Sequence, residues 1–232
     1  MRTLVLGICL ACGCDALTTE QDQRDLIAKM QEVREHMHVR FAASRRVELA
    51  IAFGDLERAQ QEARTIANLE EPEARAEWQP FIDNVRAAAH QIVVAPDTTV
   101  AARMSALLGQ RCAQCHVASH AKIAFADEPG PASSQRLATQ MAQHQWGAAR
   151  MWEGLVGPSL ERWTKGARSL ADARIAIVAE GDLPPELAVS DDVQRMHLYA
   201  KRALKASTLD DRATTYGELL ATCAGCHRTI RD

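Results

Sequence analysis

The chain has 232 residues, enough for two domains of ordinary size, and 47% of it is apolar, so a real core can be buried. Aromatic residues make up only 4% while alanine is abundant, which favours helices over sheets. A formal net charge of -3 without a basic tract excludes any electrostatic case for a nucleic-acid partner.

The first fourteen residues read as an export signal. Arg2 supplies a minimal positive region and Thr3 to Ala11 a short apolar one, too short to span a bilayer. Cys9, Cys12 and Cys14 follow among small residues. Gly13-Cys14 best fits a bacterial lipidation site, with Ala11-Cys12 second; plain secretion and a buried N-terminal helix are the other readings. The expectation is an exported, periplasmic or cell-envelope protein, anchored by lipid at Cys14 (or Cys12).

After residue 20 the pattern is helical nearly throughout. A first helix is predicted over Asp22 to Phe53, with Leu26, Met30, Val33, Met37, Phe41, Val47 and Ile51 at helical spacing. Gly54-Asp55 breaks it and caps a second helix, Leu56 to Leu69. A loop with Pro72 and Pro80 leads to a third, Pro80 to Val94. Ala95-Pro96-Asp97-Thr98 separates that from a fourth, Thr99 to Ser119. The segment Asp127 to Ser134 holds glycine, prolines and serines, and marks the domain boundary. Further helices are predicted over Gln135 to Val156, from Leu160 to Asp172, over Asp191 to Lys205 and over Asp210 to Thr229. A loop with Gly181, Pro184 and Pro185 interrupts this half.

The halves repeat. Phe53-Gly54-Asp55-Leu56-Glu57-Arg58 resembles Gly157-Pro158-Ser159-Leu160-Glu161-Arg162, and Ala63-Arg64 matches Ala167-Arg168. The expectation is an all-α protein of two tandem four-helix bundles, residues 20–124 and 135–232, joined by a linker at 125–134.

Each half ends on the same motif: Cys112-Ala113-Gln114-Cys115-His116 and Cys223-Ala224-Gly225-Cys226-His227. On a helix, positions i, i+3 and i+4 share a side, so both cysteines and the histidine of each motif face one way. Two cysteines so placed can add to the two vinyl groups of a haem while the histidine reaches the iron. A single such motif also suits a redox dithiol or a zinc site. A dithiol wants a βαβ context, and zinc wants four ligands around one ion, whereas these pairs lie in separate halves. The spacing therefore predicts two covalently bound haems c, with Cys112, Cys115, Cys223 and Cys226 as attachment points and His116 and His227 as proximal iron ligands.

A haem motif on the last helix of a four-helix unit resembles the cytochrome c′ and cytochrome c-556 group. The likeness is clearest in Tyr216-Gly217-Glu218-Leu219-Leu220-Ala221-Thr222 followed by the second motif and Arg228. Through Met151-Trp152-Glu153-Gly154-Leu155-Val156-Gly157-Pro158-Ser159 the whole chain looks like bacterial tandem two-haem cytochromes. The resemblance implies a distal residue from the first helix of each half: methionine in low-spin members, an apolar residue in five-coordinate gas-binding ones.

In the second half, Leu137, Met141, His144, Ala148, Met151 and Leu155 form one stripe. His144 near its centre is the candidate distal ligand, with Met141 as alternative. In the first half the stripe centre is Met37, with His36 and His38 about 100° to either side. His38 is the first choice there; Met37 and no sixth ligand remain open. Arg40 occupies the place matching His144. Tyr216, eleven residues before His227 on the same predicted helix, is expected to pack on the haem or in the core. His90 and His197 fall on the third helices, and His120 one turn beyond the first motif. The expected function is transfer of single electrons between redox partner proteins of a respiratory or periplasmic chain, without enzymatic activity. The alternative is binding of nitric oxide or carbon monoxide at a five-coordinate haem.

Overall fold

The computed structural model describes residues 20–70, 76–132, 136–173 and 191–231. The predicted export signal with Cys9, Cys12 and Cys14, the loop with Gly181, Pro184 and Pro185, and also Pro72, Ser133 and Ser134 lie outside the described residues. Within them the fold is all-α. The helices are α1 (Glu20–Ala52), α2 (Leu56–Ala67), α3 (Gln79–Val93), α4 (Thr98–Ala118), α5 (Leu137–Val156), α6 (Leu160–Ala171), α7 (Asp191–Ala203) and α8 (Leu209–Arg231). A short 3-10 helix, Ala76–Trp78, leads into α3, where the sequence predicted only loop. None of these helices is long and apolar enough to cross a membrane.

Local chemistry sets the helix ends. In α1 the buried residues Arg40, Ala43, Ser44, Val47, Glu48 and Ile51 recur at three- and four-residue steps, which makes one inward stripe. The helix stops where Gly54 takes φ 74°, with Asp55 N–H on the Ala50 carbonyl and Gly54 N–H on that of Ile51. Asp55 then accepts from Arg58 N–H at 3.0 Å and caps α2. Asp97 caps α4 in the same way at 2.8 Å, and Ser159 caps α6 at 3.3 Å. Thr208 and Asp211 exchange hydrogen bonds at the start of α8, a reciprocal capping box.

Consecutive helices pack in sequence, α1 through α4 and α5 through α8. The halves are joined where α4 lies against α8. A Cβ on Gly217 would come within 3.1 Å of the Arg103 backbone, so the two helices cross closely there. The α5–α6 approach is tighter still, because a Cβ on Gly154 would fall 2.3 Å from Trp163 N. Helix α1 touches both α4 and α8, and so does α5. One cluster of buried residues, from Ala43 to Ala224, consequently runs through both halves.

The largest buried side chains sit near the crossing. Trp152 and Trp163 flank Tyr216 with ring centroids 5.6 and 6.4 Å away, and Trp163 donates to the Ala203 carbonyl at 2.8 Å. The Tyr216 hydroxyl donates to the Glu48 carboxylate at 2.6 Å and lies 3.2 Å from the Ala148 carbonyl. One tyrosine of α8 thus ties α1 to α5.

The described part of the predicted linker is non-helical but well anchored. Arg162 donates to the Phe125 carbonyl at 2.7 Å, Arg150 and Arg162 both reach that of Ala126, and Trp146 donates to that of Glu128. Phe125 packs on Phe41, 5.2 Å between centroids, and Trp146 lies under Gly130. Side chains of α5 and α6 thereby satisfy carbonyls that have no helix to bond within.

Candidate cofactor cavities

Two cavities open beside the two Cys-x-x-Cys-His motifs. The first, about 560 Å³ including its mouth, is lined by Cys112, Cys115 and His116 of α4, by Val33, His36, Met37 and Arg40 of α1, and by Trp78, Phe81, Ile82 and Val85. The second, about 950 Å³, is lined by Cys223, Cys226 and His227 of α8, by Met141, His144 and Ala148 of α5, and by Val193, Met196 and Asp192 of α7. Glu48, Leu49 and Ala52 of α1 and Phe53 just beyond its end also line it. The second cavity is therefore not contained in the second half, because the end of α1 forms part of its wall.

Each motif histidine is held by the opposite half. His227 Nδ1 lies 2.6 Å from the carbonyl of Ala52 in α1, and His116 Nδ1 lies 2.8 Å from that of Val156 in α5. A carbonyl only accepts, so Nδ1 carries the proton in both rings and the lone pair rests on Nε2. A backbone bond at one ring nitrogen fixes the tautomer and orientation of a metal-binding histidine and raises its basicity. The ring of Phe53 stacks on His227 at 5.2 Å. The repeat that matches Leu56 with Leu160 also matches Ala52 with Val156, so the arrangement is reciprocal.

The four motif cysteines are free thiols. Burial pushes Cys112 up to about 11, with Arg40 working against it, and pushes Cys223 up to about 12, with Glu48 adding to the rise. Cys226 is raised by burial and by Asp192. A catalytic dithiol needs at least one thiol lowered to become a thiolate, and the shifts of Cys112, Cys223 and Cys226 run the other way. Attachment of a ligand through sulfur is compatible with them, because it replaces the thiol proton and leaves no buried charge.

His144 of α5 lines the same cavity as His227 of α8. Burial lowers its imidazole to about 4, with His197 and His227 adding to the effect, so the ring is neutral at ordinary pH. Its Nε2 is buried without a hydrogen-bond partner. A buried unsatisfied acceptor costs roughly 1–3 kcal/mol, which a bond to a metal would remove. His116 is also lowered by burial, against the opposing effect of its bond to Val156. Paired thiols on one wall, an imidazole Nε2 beside them and an orphaned Nε2 opposite make a donor set that fits a covalently attached haem in the second cavity.

The first cavity has the same proximal wall and a different distal one. Met37 and His36 line it, whereas His38, the expected first choice, is exposed and lies off the wall. The direction of the turn is responsible: Val33, His36, Met37 and Arg40 recur at three- and four-residue steps on the cavity side, and His38 lies about 100° beyond Met37 on the side away from His36. Arg40 is buried, 7% exposed, and its guanidinium reaches His36 Nε2 at 3.4 Å.

Tyr216 lines neither cavity and takes the core role described above. Eleven residues separate it from His227, which keeps it on the same face but about 16 Å along the axis, level with Glu48. His90 and His120 are exposed, and His197 is half-buried outside the second cavity wall. Sequence reasoning missed Glu48 and the carbonyls of Ala52 and Val156. The repeat could have paired the two carbonyls, but backbone acceptors leave no mark in side-chain patterns. Comparison with known protein families, curated proteins and solved structures returns no match for this chain.

Proposed function

We propose that the chain is a two-haem c-type cytochrome that carries single electrons in the bacterial cell envelope. One observation carries the reading: each motif presents both thiols and a histidine to one cavity, with that histidine's Nδ1 bonded to a backbone carbonyl. Haem c supplies a one-electron iron couple in such a site. The chain's part is to hold the group through Cys112 and Cys115, and through Cys223 and Cys226, and to present His116 and His227 as proximal ligands. His144 supplies the distal nitrogen of the second site. Met37, on the wall of the first cavity, takes that role there in place of His38.

The sequential packing of α1 to α4 and of α5 to α8 supports reading the architecture as two tandem four-helix bundles, each with its haem motif on the last helix. Redox proteins of a periplasmic or respiratory chain are the proposed partners, with attachment to the membrane through lipid at Cys14 (or Cys12). The chain is read as a carrier and not an enzyme.

The test is a haem stain of the exported protein on a denaturing gel, with its intact mass and its reduced-minus-oxidised spectrum. Two porphyrins bound through thioethers and low-spin c-type bands are expected. Cysteine pairs found free, or carrying any other group, would end the reading. Gas binding is favoured at the first cavity alone, where Val33, Phe81, Ile82 and Val85 give an apolar wall. Carbon monoxide binding at one haem without loss of a protein ligand would establish it there.

A further inference from the structure

The repeat places Cys112 and Cys223 at matching positions, yet the buried charges that face them have opposite sign. On the first cavity wall the fixed formal charge is the guanidinium of Arg40, with the titratable rings of His36 and His116 beside it. On the second wall the formal charges are the carboxylates of Glu48, 2% exposed, and Asp192, with His144 and His227 beside them. Arg45 and Arg195, the ion-pair partners of these carboxylates, are not on that wall. Asp192 lies against the motif itself, 3.7 Å from where a Gly225 side chain would begin. The repeat matches Arg40 with His144, so the cation of one site replaces the neutral distal base of the other.

Reduction adds one negative charge at the metal. A cation facing the site stabilises that state and an anion opposes it, and both effects are largest where water is excluded. We propose that Arg40 raises the reduction potential of the first haem site while Glu48 and Asp192 lower that of the second, so that within the chain electrons run from the second site to the first. The inference rests on the two-haem reading above. The step moves one electron: iron at the second site is oxidised from Fe(II) to Fe(III), and iron at the first is reduced from Fe(III) to Fe(II). No bond is made or broken and no proton moves. The donor that refills the second site is a one-electron redox protein. The thiols feel the same opposition, since Arg40 works against burial at Cys112 and Glu48 works with it at Cys223.

The experiment is a potentiometric titration of the two-haem holoprotein followed by haem absorbance, with Arg40→Gln, Arg40→Lys and Glu48→Gln alongside. Haem count by mass and the low-spin bands are checked in each variant. Two separated midpoints are expected in the parent. Arg40→Gln should lower the upper midpoint alone, by about tenfold in the one-electron equilibrium, ~59 mV. Arg40→Lys, which keeps the charge, should restore most of it, and Glu48→Gln should raise the lower midpoint alone. Coincident parent midpoints overturn the inference and leave the two-haem reading standing. So does a lower midpoint that moves with Arg40→Gln or stays fixed in Glu48→Gln. Should Arg40→Gln fail to fold, Glu48→Gln decides by itself. A parent protein without haem fails the reading, a distinct result.

Discussion

The two cavities share a proximal wall and differ on the distal side. Each takes two cysteines and a histidine from one helix, and each histidine is oriented by the last turn of the other half's first helix. Opposite them stand a neutral imidazole in the second cavity, and Met37, His36 and a buried guanidinium in the first. The difference teaches that two cavities can share one set of sulfur and nitrogen donors and differ in the residues and charges that face it; on the two-haem reading, the shared part serves attachment and the differing part coordination. Attachment needs fixed sulfur and nitrogen positions, whereas a distal residue can change without disturbing the helix that bears it.

The comparison can be broken most directly at the distal walls. His144→Ala in the holoprotein should convert one haem from low to high spin and open it to carbon monoxide while leaving the other haem unchanged. Met37→Ala should do the same at the other haem, and His38→Ala should alter neither; absorption spectra with and without carbon monoxide read all three. A spin change in His38→Ala would return that residue to the site.

The buried imidazole also carries a pH signature that sharpens the contrast. His144 is lowered by burial from 6.5 to about 4, so between those values the unfolded chain binds its proton and the folded chain does not. Its contribution to stability is therefore full above about pH 6.5 and is lost as pH falls toward about 4. The full shift corresponds to about 3 kcal/mol, reduced to about 1–2 kcal/mol because the ring is half-buried. Urea unfolding of the chain before haem attachment should lose that much between pH 7 and pH 4, relative to His144→Gln. An equal loss in the two proteins would remove His144 as the cause.

Tyr216 tests what the cavities share. Tyr216→Phe removes the hydroxyl that bonds Glu48 of α1 and leaves that buried carboxylate one donor short. A loss of about 1–3 kcal/mol is expected in denaturant unfolding, as one transition that takes both halves together. Two separate transitions would mean that the common core does not couple them. The smallest effect is local to the first site. His120 closes α4 at φ 52°, a left-handed position that suits glycine. His120→Gly should add about 1 kcal/mol, read as a rise in Tm, without changing either haem spectrum.

Much of the fold was legible in the chain. The Gly54-Asp55 turn, the caps at Asp97 and Ser159 and the motif helices are local features, and the structure has them where the residues put them. The apolar stripe with His144 near its centre was legible, and the structure puts that residue on a cavity wall. The choice between His36 and His38 was not legible, because the two flank Met37 and periodicity alone cannot say which way the helix turns; the structure leaves His38 exposed and puts His36 on the wall. The segment after Ile123 read as a separator, since its breakers forbid a helix. What anchors it is Arg150, Arg162 and Trp146, which lie elsewhere in the chain.

The amino-acid sequence by itself determined the helices, their ends, the duplication and the placing of two thiols and an imidazole on one face, because each follows from spacing within a few turns. Only the tertiary structure decided that α4 crosses α8, that each histidine bonds the opposite half, and that Arg40 and Glu48 face different cavities. Those facts depend on the rotation and approach of helices far apart in the chain. There, small residues such as Gly217 set the distance, and no local pattern records the partner.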